Sequence, residues 1–192
     1  MLDLDSGAIH LSYDAGAGAT TFCLGIASST LSSGNRVLWL TREVPDSVRA
    51  GQILGDLDKS ALDRLVMIEV KGDLNITGVA IMAFLRKMQS ADLLIVDDWC
   101  SRSGRAPKED IRGMVGLITN ARVGGCRIVF TSASYDDPTG LGKRKCRSEG
   151  SFSGISKTVF LSRKEGQSGK RVLEDNGVMS ELLISESGFI PA

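Results

Sequence analysis

The chain lacks net charge: Lys+Arg and Asp+Glu are both 23. Composition therefore gives no steer towards nucleic acid or membrane, and any basic surface must be a local patch. Long apolar runs are missing too. None approaches the roughly 20 residues that span a bilayer, so no membrane partner is expected. The start, Met1-Leu2-Asp3-Leu4-Asp5, has neither a basic region nor an apolar core, which argues against a secretory signal. Four cysteines, at 23, 100, 126 and 146, show no C-x-x-C spacing, and three adjoin apolar runs. Buried reduced thiols in a cytoplasmic protein are expected, not a disulfide framework or a metal site. There is no internal repeat and no linker-bounded second domain. A length of 192 residues fits one domain with a sizeable core. Glycine is plentiful, at 22, as tight turns between short elements require.

One further absence is local. Residues 13–21 read Tyr-Asp-Ala-Gly-Ala-Gly-Ala-Thr-Thr, between an apolar run at 8–11 and a helix-like stretch at 22–27. Strand, glycine loop and helix in that order form the setting in which G-x-x-x-x-G-K-[ST] binds nucleotide phosphates. Set on that pattern, Gly18 and Thr20 fall on the second glycine and the hydroxyl. Tyr13 falls on the first glycine, and Ala19 on the lysine. The loop is there and its charge is not.

Along the rest of the chain, strand-like and helix-like segments alternate. Residues 36–41, 65–70, 93–96 and 127–131 are short apolar strand candidates. Helices are predicted over 46–57, capped by Asp46 or Ser47 with Val48, Ile53, Leu54 and Leu57 apolar, and over 76–89. The second has Thr77 as cap and Val79, Ile81, Met82, Leu85 and Met88 near helical spacing. A third, over 108–123, carries a stripe of Ile111, Val115, Ile118 and Ala121 and ends at Gly124-Gly125. Residues 135–156 are polar and basic and read as a long loop, a length that is usually functional or disordered. Segments 158–162, 170–174 and 181–184 then look like strands joined by turns. The expected fold is α/β: a three-layer sandwich with a mostly parallel central sheet and C-terminal antiparallel strands. Right-handed crossovers would place loop 13–21 and the end of the 93–97 strand on one edge.

That edge gathers the candidate chemistry. Asp97 follows a buried strand directly, where a carboxylate beside a phosphate loop orders Mg²⁺ and its waters; capping of the next turn by Asp97 or Asp98 is the alternative. Glu43 lies just past residues 37–40, placed to polarise an attacking water, or else it is a solvated loop residue. Thr131 and Ser132 end the next strand and offer hydroxyls near a γ-phosphate. Backbone N–H groups over Gly16, Gly18, Ala19, Thr20 and Thr21, with the helix start, suit an anion. Lys143, Arg144, Lys145 and Arg147 crowd the long loop, and Arg102 and Arg105 sit in the loop before. They are candidate contacts for nucleic-acid phosphates, or a solvated charge run. Tyr135 and Phe152 flank the basic loop, as stacking residues for bases or as loop anchors.

In order and spacing these parts resemble the RecA-like ATPase core, closest to the archaeal and eukaryotic recombinases and RadB-like paralogues. The resemblance covers nearly the whole chain as a single core domain, 1–192. Ile9-His10-Leu11-Ser12-Tyr13 resembles the strand entering the P-loop. Val37-Leu38-Trp39-Leu40-Thr41-Arg42-Glu43 resembles the strand ending in the catalytic glutamate, and Leu93-Leu94-Ile95-Val96-Asp97-Asp98 the Walker B strand. Ile128-Val129-Phe130-Thr131-Ser132 stands where the family has its sensor strand, with Ser132-Ala133 replacing the usual Asn-Gln. Residues 135–156 take the place of the second DNA-binding loop, and the loop with Arg102 and Arg105 that of the first. Arg163-Lys164-Glu165-Gly166 and Gly188-Phe189-Ile190 resemble the closing antiparallel strands.

The resemblance implies ATP and Mg²⁺ as cofactors, and the departures imply that they bind weakly or not at all. Loss of the lysine removes a charge-assisted contact of roughly 1.5–3 kcal/mol, and more from a transition state that relies on that charge. Tyr13 crowds a turn that normally needs glycine, and a cation from elsewhere, such as Lys143 or Lys145, is one substitute. The expectation is a catalytically impaired RecA-like paralogue, an accessory or assembly protein in DNA recombination or repair. Its expected partners are a RecA-like subunit or itself, and single-stranded DNA. An active DNA-dependent ATPase with an unconventional loop is the first alternative. An inactive structural or regulatory subunit of the Elongator or KaiC kind, without DNA binding, is the second.

Overall fold

Buried strands of alternating facing set the architecture. The computed structural model describes residues 2–137 and 144–192, so Lys143 lies outside the described residues. A 3₁₀ turn (Leu4–Ser6) leads into β1 (Ile9–Tyr13), α1 (Ala19–Ser32), β2 (Val37–Thr41), α2 (Ser47–Leu54), α3 (Lys59–Leu62) and β3 (Leu65–Glu69). Next come α4 (Leu74–Ala80), α5 (Met82–Leu85), β4 (Leu93–Asp97), α6 (Lys108–Gly124) and β5 (Arg127–Ala133). The chain then forms β6 (Tyr135–Asp136), β7 (Arg144–Lys145) and α7 (Glu149–Phe152). It closes with β8 (Lys157–Arg163), β9 (Lys170–Asp175), β10 (Val178–Ser185) and β11 (Gly188–Pro191).

One nine-stranded sheet runs β11-β10-β9-β8-β1-β5-β4-β2-β3. From β8 to β3 every pairing is parallel, and β9, β10 and β11 add on antiparallel. The fold is thus α/β with a large, mostly parallel sheet and C-terminal antiparallel strands. Successive side chains of a strand point to opposite faces, and two cores follow. Ile9, Leu11, Trp39, Ile95 and Val129 pack with α1, α2 and α3 on one face. Leu38, Leu40, Leu94, Val96 and Phe130 pack with α4, α5 and α6 on the other. All four cysteines are buried with free thiols. Among the described residues no helix is long and apolar enough to cross a membrane.

Three elements differ from the sequence expectation. Residues 76–89 form two short helices, α4 and α5, joined at Ile81, and the cap is Asp73, whose carboxylate accepts from the Asn75 N–H at 2.7 Å. The inward stripe runs Leu74, Gly78, Ile81, Leu85, Met88, while Val79 faces solvent. Gly78 belongs to the stripe because the Leu117 side chain packs directly over it, a contact that a count of apolar side chains does not register. Val48 of α2 is likewise exposed. The described parts of segment 135–156 are no plain loop. Tyr135 pairs with Lys145 and Asp136 with Arg144 in an antiparallel ladder, and Cys146 and Phe152 are buried. Phe152 serves as the anchor, with its ring in edge contact with Trp99, Phe130 and His10.

Candidate functional site

Parallel pairing brings the carboxyl ends of β1, β5, β4 and β2 to one edge. This is the crevice where open α/β sheets bind ligands. Thr20, Thr41, Glu43, Asp97, Asp98 and Arg102 line one pocket there, of about 220 Å³. Small-molecule sites usually enclose roughly 300–1,000 Å³, so the pocket as it stands is small for a nucleotide. A larger groove, about 410 Å³, includes Phe152, Lys157 and Glu174, beside the first half of β8 and the β9–β10 turn, and shares no lining residue with this pocket.

The glycine loop turns through two left-handed residues, Gly16 at φ 72° and Gly18 at φ 89°, and Gly18 caps α1. Both conformations favour glycine. The loop is held from behind. Arg171, buried on β9, donates from Nε to the Ala17 carbonyl at 3.0 Å and from Nη2 to the Gly16 carbonyl at 3.2 Å. From the tail hairpin, the Phe189 ring lies 3.4 Å from where a Gly18 Cβ would stand. Arg49 of α2 ties that hairpin down, donating to the Ser185 carbonyl at 2.8 Å, the Glu186 carbonyl at 3.0 Å and Thr21 Oγ1 at 3.3 Å. Ala19 is buried and its methyl group belongs to the α1-side core. The Arg163 guanidinium comes within 3.9 Å of the Gly16 Cβ position.

Tyr13 does not leave the turn empty. Its hydroxyl donates a short hydrogen bond to Asp98 Oδ1, which joins the end of β1 to the residue after β4. Burial and then Asp98 push the phenol well above the ordinary tyrosine range. Asp98 itself has φ 52°, and its N–H donates to Thr131 Oγ1 at 2.8 Å. The same Thr131 hydroxyl donates to Asp97 Oδ1 at 2.8 Å. Thr131 therefore staples β5 to the end of β4, while the Ser132 hydroxyl is turned inward against His10 Nε2 at 2.8 Å. Both residues are fully buried, so both hydroxyls act inside the protein. His10 is stacked on Phe130, and burial lowers its pKa to about 3, so it stays neutral across the physiological range.

Asp97 is 4% exposed. Burial, followed by the charge of Asp98, raises its pKa to about 6, while the hydroxyls of Thr131 and Thr20 and the charge of Arg102 pull the other way. Glu43 is largely open to solvent and ion-pairs with Arg102 at 3.4 Å. Arg102 also meets Asp98 at 2.8 Å, and this carboxylate raises the guanidinium pKa further.

Most of the predicted DNA-binding cations are engaged within the chain. Arg144 pairs with Asp14 of the glycine loop at 2.7 Å, and Lys145 with Asp137 at 2.8 Å. Arg147 donates short hydrogen bonds to the carbonyls of Arg102 and Gly104. Arg105 is exposed and has no ion pair among the described residues. Sequence reasoning singled out neither Arg49 nor Arg171. Both act on backbone carbonyls of segments distant in sequence, for which no local pattern exists.

Thr20 and Asp97 are the groups suited to a hydrated Mg²⁺. Among the described residues no group of three His, Cys, Asp or Glu is arranged to hold a metal. Asp14 and Asp98 also stand at this edge, each paired with an arginine, Arg144 and Arg102. Compared with known families and curated proteins, the chain matches no family model and no curated sequence.

Proposed function

We propose that this chain is a catalytically impaired RecA-like protein that serves as an accessory or assembly factor in DNA recombination or repair. It docks on a RecA-like partner and does not turn over ATP. The observation that carries the reading is Ala19: a buried methyl group stands at the lysine position of an otherwise well-formed strand–loop–helix unit. Support comes from the strand order, in which β5 lies between the loop-bearing β1 and the Asp97-bearing β4. Thr20, Glu43 and Asp97 also converge on one pocket. The frame of an ATPase is kept while the cation is missing, and a transition state with developing phosphate charge depends on that cation. Purified protein with Mg-ATP, with and without single-stranded DNA, is expected to release phosphate at the background rate, unchanged by Glu43→Gln. Robust hydrolysis abolished by Glu43→Gln would overturn the reading.

A second reading, a structural subunit without DNA binding, is favoured by the engagement of Arg102, Arg144, Lys145 and Arg147 within the chain. A stable hetero-oligomer that does not bind single-stranded DNA at low salt is the outcome that selects it.

A further inference from the structure

The basic residues of two separate loops reach back onto the acidic edge of the sheet. Arg144, from the hairpin after β5, grips Asp14 in the glycine loop at 2.7 Å, and Ser134 holds the other oxygen of that carboxylate at 3.0 Å. Arg147, three residues on, grips the backbone carbonyls of Arg102 and Gly104 in the loop after β4. Arg102 in turn bridges Asp98 at 2.8 Å and Glu43 at 3.4 Å, inside the pocket. The three contacts form a chain: long loop to glycine loop, long loop to β4 loop, β4 loop to pocket.

We infer that these three arginines form an autoinhibitory clamp, in which guanidinium groups suited to nucleic-acid phosphates are held by the protein's own carboxylates and carbonyls. Single-stranded nucleic acid and the acidic edge then compete for the same cations. Competition is feasible because the pairs are partly solvated. Arg102 is 59% exposed and Arg144 40%, while their partners Asp98 and Asp14 are 14% and 21% exposed, so the cation of each pair is open to capture by a polyanion. Release acts on the pocket, because displacement of Arg102 frees Glu43 and removes the cation beside Asp98. By linkage, bound polyanion favours opening of the clamp by the same factor by which opening strengthens polyanion binding. The inference uses the site of the preceding reading but does not depend on whether ATP is hydrolysed there. ATP turnover would overturn that reading and leave the clamp standing.

The test is anisotropy of a fluorescein-labelled thymidine 30-mer at low salt. Asp14→Asn frees Arg144, and Asp98→Asn frees Arg102. Each is expected to tighten binding by about three- to fivefold over the unaltered chain, as loss of a weak competing ion pair implies. Arg144→Ala or Arg102→Ala added to the matching variant removes its gain. Asp136→Asn deletes an equal charge from the same hairpin without freeing an arginine, and is expected to shift affinity less than twofold, as screened surface charge does. Equal gains from Asp136→Asn and Asp14→Asn, or no gain from either releasing variant, overturn the clamp. So does failure of every variant to bind the 30-mer. Hydrogen exchange on the unaltered protein covers loss of folding in a variant. Saturating 30-mer should speed exchange in residues 14–18 and 99–105, and unchanged or slower exchange there contradicts the inference.

Discussion

Replacing Asp97 with asparagine is expected to raise stability at pH 7.5 by up to about 3 kcal/mol. The folded pKa of Asp97 is raised from 3.8 to about 6 by burial and by Asp98. Between these values the native state binds more protons than the unfolded chain does. Stability contributed by this group therefore falls as pH rises from about 4 to about 6, and the loss is complete above that. Asparagine keeps an acceptor for the Thr131 hydroxyl, which donates to Asp97 Oδ1 at 2.8 Å, and removes the buried charge. Urea unfolding of both proteins from pH 4 to pH 8 checks this. The curves should coincide near pH 4 and separate on going alkaline. A variant that is less stable at pH 7.5 would mean that the charge is compensated in the fold.

The second large effect is structural and reaches the clamp. Phe152→Ala should cost roughly 3–5 kcal/mol, as truncation of a fully buried phenylalanine does. Phe152 is 2% exposed, with ring centroids 5.2 Å from both Trp99 and Phe130. It is also the anchor that seats segment 144–156 on the body. Chemical denaturation reads the loss, and proteolysis of the native state near residues 144–156 should accelerate well before global unfolding. A loss below about 1 kcal/mol would show that the ring is replaceable.

Most of the edge was legible in the chain. A glycine loop after an apolar strand, and carboxylates just past two further buried runs, each follow from local pattern. The parallel connections bring them to one side, and Thr20, Glu43 and Asp97 line a common pocket. What was not legible is how charge is distributed there. Arg144, Lys145 and Arg147 read as free cations because a sequence shows proximity along the chain and not across it; Asp14 lies 130 residues from its partner Arg144. Tyr13 read as a misfit for the turn, because its partner, Asp98, is 85 positions away. Gly78 was invisible as a core position because its contribution is the space left for Leu117.

We propose that the glycine loop is a phosphate loop without its charge, with buried Ala19 where a lysine would stand. Calorimetric titration of Mg-ATP into the unaltered protein, beside Ala19→Lys, tests it most directly. The account predicts no saturable binding by the unaltered chain below about 1 mM, and an affinity gain of about tenfold or more in the lysine variant, the counterpart of a charge-assisted contact. Micromolar, Mg²⁺-dependent binding of ATP by the unaltered chain would contradict it.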